Sequence, residues 1–314
     1  MPVKKDAKMK ISILIPVYNN EATIIELHEK LIRVFNDTSF KYEIIFIDDC
    51  SSDKSSEKIS NICANNKNVI LVQLLRNFGQ RFALMAGLKY ATGDYILNLD
   101  ADLQDPPELI KLIFNKIFKK ADLIIGVRAE ISENLIRKLT SYVQHKILNL
   151  LNKNYPVNGF TVFCISRRLA EKIKNKKNNI SVLQLEILKY GYSCERFYYE
   201  RKKRIIGSSE FTFFSRLILG TEMIVQIEFS LSKFFLYVNL FITFIFLIYF
   251  SKIIYNYFYA VYFFYEYLLL IAFAVILFFL YLVFFTFISK YILVKIDEIK
   301  PRDKFKVKKI INKF

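Results

Sequence analysis

Two acidic clusters stand out for the chemistry that carboxylates at their spacing can perform. Asp48-Asp49 closes the apolar run Tyr42 to Ile47, and Asp100-Ala101-Asp102 closes the run Tyr95 to Leu99. Two carboxylates one residue apart hold a divalent cation together with ribose or phosphate oxygens, an arrangement suited to hard, oxygen-seeking Mg2+ or Mn2+. A single acidic residue at a strand end usually caps the next helix. Two clusters ending separate strands point instead to a shared site, because open α/β sheets bind ligands beyond the carboxyl ends of their strands. Zinc chemistry is disfavoured: Cys50, Cys63, Cys164 and Cys194 include no C-x-x-C pair, and the chain has only two histidines, His28 and His145. His28 falls on the apolar side of a helix, where a packed, hydrogen-bonded imidazole is expected.

The elements that must position these carboxylates are legible as alternating patterns. Ile11 to Ile15, Tyr42 to Ile47, Val69 to Leu74, Asp94 to Leu99 and Leu123 to Val127 are short apolar runs bounded by polar turns, the mark of buried strands. Between them, Glu21 to Phe35, Gln80 to Tyr90 and Pro107 to Lys119 carry helical periodicity, with Ile24, Ile25, Leu31, Ile32 and Phe35 on one face of the first. Strand and helix in alternation specify an α/β fold with a mostly parallel sheet and helices on both faces.

The rest of the chain is far oilier. Of 314 residues, 54% are hydrophobic, and no charge interrupts Phe234 to Ser251 or Tyr267 to Ser289, runs of 18 and 23 residues. Stretches of about that length are read as transmembrane helices. Met1 to Lys10 is lysine-rich and lacks an apolar core, so the first segment is expected to remain cytoplasmic. Between the two runs, Ile253 to Glu266 has neither Lys nor Arg, whereas after the second nine Lys and Arg face three acids. That asymmetry predicts an integral protein of the inner cell membrane with both termini cytoplasmic and a tail drawn to anionic lipid. The net charge of +17 is therefore assigned to the membrane and not to nucleic acid. From Phe211 to Phe235, apolar residues interleave with Arg216, Glu222, Gln226 and Glu228, as in interfacial helices along a bilayer, core packing being the competing reading. The expected organisation is a catalytic domain over 1–210, juxtamembrane amphipathic helices over 211–233, two transmembrane helices within 234–289 and a basic tail over 290–314.

Longer motifs place the acidic clusters in a family. Ile13-Leu14-Ile15-Pro16-Val17-Tyr18-Asn19, Ile47-Asp48-Asp49-Cys50-Ser51-Ser52-Asp53, Arg76-Asn77-Phe78-Gly79-Gln80 and the run Asp100 to Glu108 (D-A-D-L-Q-D-P-P-E) follow one another in order. With Arg204-Ile205-Ile206-Gly207-Ser208-Ser209, they resemble the inverting glycosyltransferases of the nucleotide-sugar A-type fold. More narrowly they look like the polyprenyl-phosphate glycosyltransferases, the group that includes dolichyl-phosphate mannose synthase and bacterial undecaprenyl-phosphate glucosyltransferases. The resemblance covers roughly Lys10 to Leu236. It implies a nucleotide-sugar donor gripped by Pro16, Tyr18, Asp48, Asp49 and Arg76, with Asp100 facing the sugar-diphosphate and Asp102 and Gln104 holding Mg2+ or Mn2+. It also implies that Arg128, Arg137 and Ser141 grip the phosphate of a polyprenyl acceptor and that Arg204 binds phosphate before the membrane. A homo-oligomer is compatible with this reading. Two departures are visible: Cys50 replaces the usual glycine of the D-D-G-S turn, and Tyr155 stands where relatives often carry Asp before P-x-x-G-F.

The residues also bear on the acceptor. A sugar hydroxyl must lose a proton during attack, whereas a phosphate monoester oxygen is already anionic at neutral pH. The E-D dipeptide that often carries the base in sugar-to-sugar relatives is missing, and the chain has no Trp for a processive Q-x-x-R-W motif. A lipid-phosphate acceptor fits better. The alternative is transfer to a hydroxyl of a lipid-linked saccharide with Glu186 as base; a non-catalytic membrane scaffold would leave the acidic clusters unexplained.

Overall fold

The computed structural model describes residues 9–128, 146, 149, 153–156, 158–175, 183–190, 193–201, 237, 240–245, 247–248, 250–252, 264–299 and 305–312. Two compact units emerge, one made of 1–216 with 301–314, the other of 217–300. In the first, the strands are β1 (Lys10–Val17), β2 (Lys41–Asp48), β3 (Val69–Leu74), β4 (Tyr95–Asn98), β5 (Leu123–Arg128), β6 (Phe160–Ser166), β7 (Cys194–Tyr199) and β8 (Val307–Ile311). Helices α1 (Ile24–Asn36), α2 (Ser55–Asn65), α3 (Gln80–Tyr90), α4 (Leu109–Ile117), α5 (Arg167–Lys174) and α6 (Leu183–Lys189) connect them.

The strands form one eight-stranded sheet in the order β7-β5-β6-β4-β1-β2-β3-β8. Pairing is parallel from β3 through β2 and β1 to β4, with Ile13 opposite Ile44 on one side and Leu97 on the other. The sheet as a whole is mixed, which corrects the expectation of a mostly parallel one. β6 inserts antiparallel between β4 and β5, and β8 adds antiparallel to the outer edge of β3. Antiparallel pairs do not require the crossover connection that parallel pairs do, so an alternation of strand and helix read from the sequence announces neither pairing.

Burial explains the regular part. In β1 every residue after Lys10 is buried, as in a strand covered by helices on both faces. α1 buries Ile24, Leu27, Leu31, Val34 and Phe35, a stripe at three- and four-residue spacing. Ile25, expected on that face, is exposed instead, because it lies one position round the helix from Ile24. α2 was not expected: its sequence SSEKISNICAN is polar, and only Ser55, Ile59, Ile62 and Cys63 turn inward. β8 belongs to the segment expected as a basic tail. Its following residue, Asn312, donates its side-chain amide to the carbonyls of Cys63, Asn66 and Val69 at 2.6–3.3 Å, fastening the strand beside α2.

In the second unit, α7 (Phe264–Ile299) is a single helix of 36 residues containing the whole uncharged run Tyr267 to Ser289. At 1.5 Å per residue its backbone extends about 54 Å. Large apolar side chains project outward from it, Phe278 and Phe279 among them, each more than 60% exposed. Described residues of the other uncharged run, between 237 and 250, are also helical, and Thr243 Oγ1 shares a 2.7 Å hydrogen bond with Tyr281 Oη of α7. The side chains described continuously along α7 run only from 271 to 285, and among the described residues no helix is long and apolar enough to cross a membrane. The juxtamembrane segment 211–233 lies outside the described residues.

Candidate active site

The carboxyl ends of β1, β2, β3 and β4 carry the loops in which the donor residues are expected. Two of these loops are stitched together by backbone groups bonding to side chains across them. Asn19 N donates to Ser51 Oγ at 3.0 Å, Ser52 N to Asn19 Oδ1 at 2.9 Å and Glu21 N to Asp53 Oδ2 at 3.0 Å. Asn19 and Cys50 both hold a left-handed backbone, with φ of 52° and 63°. Asn tolerates that conformation, while Cys50, in the usual glycine position, adopts it at a cost of about 1–2 kcal/mol.

Asp48 and Asp49 have different tasks. Asp48 is fully buried and braces its own turn, accepting from Ser51 N at 3.0 Å and from Gln73 Nε2 at 3.3 Å. Asp49 accepts from Phe78 N at Oδ1 and from Gly79 N at Oδ2, both at 2.7 Å, which clamps the 76–79 loop against β2. Burial raises its pKa, an effect that the two backbone donors oppose. Gly79 has φ 89°, open to glycine and strained for other residues. The exposed guanidinium of Arg76 lies 4.7 Å over the Phe78 ring. Pro16 is buried in β1, and Tyr18 is half-buried just beyond it.

After β4 the chain turns sharply through the second acidic cluster. Leu103 takes φ 57°, and Gln104 N returns to Asp102 Oδ1 at 3.1 Å, so the Asp102 carboxylate is held by the backbone of Gln104. Asp100 accepts from Gln80 Nε2 at 2.8 Å. One guanidinium, that of Arg201, reaches all three acids of the segment: Nη2 lies 3.6 Å from Asp100 and 3.8 Å from Asp102, and Nε lies 3.3 Å from Asp105. Burial, with Asp105 and Asp102 nearby, pushes Asp100 up to about 7, against the pull of Arg201 and Arg128. Burial works against the charge of Arg201, and the three carboxylates outweigh it and raise its pKa. The sequence reading missed Arg201. Its only signal was a place in the basic run from Arg201 to Arg204, three residues before the arginine that the motif singled out.

Arg128 ends β5 on the other side of β6. Its Nη2 donates to Thr161 Oγ1 at 3.2 Å, its carbonyl accepts from Asn158 Nδ2 at 2.9 Å, and its buried Nε has no partner among the described residues. Tyr155 is buried and packs against Phe160 at a ring distance of 5.8 Å, so the position where relatives carry Asp is a core aromatic here. Glu186 is buried on α6, with Lys189 Nζ at 3.9 Å. Arg137, Ser141 and Arg204 lie outside the described residues. Among the described residues no three His, Cys, Asp or Glu side chains gather to hold an ion unaided. Asp100 and Asp102 nonetheless converge on one cationic nitrogen. That pairing fits a cation bound by one or two carboxylates and completed by phosphate oxygens, the habit of Mg2+.

A family model for glycosyl transferase family 2 matches residues 12–174, which run from within β1 past β6 and include the two acidic clusters. The chain belongs to this family. Among relatives, a prophage bactoprenol glucosyl transferase homolog of Escherichia coli is 32% identical over 206 residues, 65% of this chain and 67% of the relative. An undecaprenyl-phosphate 4-deoxy-4-formamido-L-arabinose transferase of Pectobacterium carotovorum is 39% identical over 142 residues, 45% of this chain and 42% of that one. A glycosyltransferase of Synechocystis is 28% identical over 207 residues and is spanned for 65% of its length. A similar fold appears in the solved Mycobacterium tuberculosis glucosyl-3-phosphoglycerate synthase in complex with Mn2+, UDP and phosphoglyceric acid. It aligns with TM-score 0.51 and 17% identity over 70% of this chain and 77% of that one.

Proposed function

We propose that this family 2 protein transfers a sugar from a nucleotide-sugar donor to a polyprenyl phosphate at the cytoplasmic membrane face, with inversion at the anomeric carbon. One observation carries the reading: Asp100 and Asp102, which suit a donor diphosphate and its cation, lie within one polar network with Arg128, which suits an acceptor phosphate. The acceptor named for the Pectobacterium relative, undecaprenyl phosphate, is of this class.

In the proposed reaction an acceptor phosphate oxygen attacks the anomeric carbon as the bond to the nucleoside diphosphate breaks on the opposite face. No proton is removed, because a phosphate monoester with a second pKa near 6 is already charged. Arg128, with Arg137, Ser141 and Arg204, orients that anion, and charge-assisted bonds make such orientation strong. A divalent cation at Asp102, beside Asp100 and Gln104, would neutralise charge growing on the leaving diphosphate. The donor cradle of Pro16, Tyr18, Asp49 and the 76–79 loop sets the nucleotide.

The apolar unit supports attachment to a membrane. The chain leaves the catalytic sheet after β7 and rejoins it at β8, so any bilayer that 217–300 traverses is traversed an even number of times. Two crossings match the two uncharged runs, and the Lys and Arg that follow them favour the cytoplasm for both ends.

The test is a radiolabelled nucleotide sugar incubated with the detergent-solubilised protein and a polyprenyl phosphate. The expected product is a glycolipid with one phosphate, labile to mild acid because the sugar is joined through its anomeric phosphate. A disaccharide-bearing lipid, together with an inactive Glu186→Gln variant, would instead establish a hydroxyl acceptor.

A further inference from the structure

The run Asp100 to Glu108 contains a third carboxylate, Asp105, to which neither the motif reading nor the mechanism above gives a task. It is fully buried. A buried carboxylate is costly unless hydrogen bonds compensate it. Here two hydrogen bonds come from separate strands and an ion pair adds to them: Tyr199 Oη of β7 donates to Oδ1 at 2.7 Å, Thr161 Oγ1 of β6 donates to Oδ2 at 3.3 Å, and the Arg201 guanidinium lies alongside with Nε 3.3 Å from Oδ1. These partners lie between 56 and 96 residues away along the chain, so no local turn requires the acid.

The hydroxyl of Thr161 sets the direction of the network. A guanidinium only donates, so an oxygen lone pair of Thr161 receives Arg128 Nη2 at 3.2 Å, and the hydroxyl proton is left to face Asp105 Oδ2 at 3.3 Å and the Tyr199 phenol, itself bonded to Asp105. We propose that Asp105 is a positioning residue that aims Arg128 at the acceptor phosphate through the Thr161 hydroxyl while it holds Arg201 beside Asp100 and Asp102. The relay occupies one N–H of Arg128. Among the described residues the buried Nε has no partner, and a ligand oxygen is the kind of group that satisfies such a donor. One carboxylate thereby fixes the spacing between the arginine of the acceptor side and the arginine of the donor side, a spacing on which an in-line transfer depends.

The inference rests on the acceptor role given to Arg128 above, and the experiment separates the two. The full-length protein is assayed with a short-chain polyprenyl phosphate and a nucleotide sugar, each varied in turn, for wild type, Arg128→Ala, Thr161→Val and Thr161→Ser. Thr161→Val keeps the shape and removes the hydroxyl. It should raise the KM for the lipid about tenfold, the equivalent of one hydrogen bond to a charged group, and leave the KM for the nucleotide sugar within about twofold. Thr161→Ser, which restores the hydroxyl, should return the lipid KM to within about twofold of wild type. If Arg128→Ala raises the lipid KM while Thr161→Val does not, the relay is refuted and the acceptor assignment survives. If Arg128→Ala leaves the lipid KM unchanged, both fall. A Thr161→Val variant impaired equally toward both substrates, or a Thr161→Ser variant that rescues nothing, would mark Thr161 as a packing residue and overturn the proposal.

Discussion

The two halves of the sheet hold their functional groups by different means. From β3 to β4 the strands are parallel, and the loops at their carboxyl ends are fixed by backbone N–H groups bonding to nearby acids and hydroxyls, as Phe78 and Gly79 bond to Asp49. From β6 to β7 the pairing is mixed, and Arg128, Thr161, Asp105 and Tyr199 are joined side chain to side chain across three strands. A backbone clamp fixes where a ligand is surrounded; a side-chain network fixes where a charge points. Substitutions in the first half should therefore act mainly on folding or on the donor, and those in the second on the alignment of the acceptor.

The largest effect is expected where the halves meet. Asp102→Asn should lower turnover by about a thousandfold, since ion-assisted charge stabilisation supplies several kcal/mol, while the melting temperature stays near that of wild type. Turnover close to wild type, or full activity in EDTA, would remove the metal from the mechanism.

Next comes the backbone of the parallel half. A Cβ on Gly93 would lie 2.6 Å from Ser12 N and 2.8 Å from Lys10 O, main-chain atoms that cannot step aside. Gly93→Ala should cost about 3 kcal/mol, read by denaturant unfolding of the detergent-solubilised protein. An effect below about 1 kcal/mol would show that this half is not held by its backbone.

Beneath that turn, Glu43 is fully buried. Burial pushes its pKa up, but hydrogen bonds from Lys10, Ser12 and Thr92 outweigh it and leave the group below its ordinary 4.5. A lowered carboxylate stabilises the fold above its unfolded pKa, and that contribution disappears as pH falls through the folded value. Glu43→Gln should therefore cost about 2 kcal/mol at pH 7, with the gap to wild type closing below 4.5. A gap independent of pH would mean that shape, not charge, is what Glu43 supplies.

The smallest effect belongs to the mixed half. At Gly126 a Cβ would meet Phe197 Cζ at 2.8 Å and Tyr199 Cε1 at 3.0 Å, the edges of rings that can shift. Gly126→Ala should cost only about 1 kcal/mol of stability, yet raise the lipid KM, because Tyr199 is a partner of Asp105. Loss of stability as large as for Gly93→Ala would erase the contrast between the halves.

By itself the sequence determined the parallel core, the acidic turns and the apolar segments. Each of these is local: a buried strand shows as an apolar run, a phosphate- or cation-binding turn as two acids after it, an apolar helix as a long stretch without charge. Tertiary structure alone decided the rest. β6 inserts between the two strands that precede it, β8 returns to β3 from far along the chain, and polar α2 owes its place to packing. Asp48 and Asp49, adjacent in sequence, part company because alternate residues of a strand end face opposite ways, one into the turn and one toward the 76–79 loop. Arg201 and Tyr199 reach the acids of 100–105 across more than ninety residues, and such meetings leave no periodicity in the sequence.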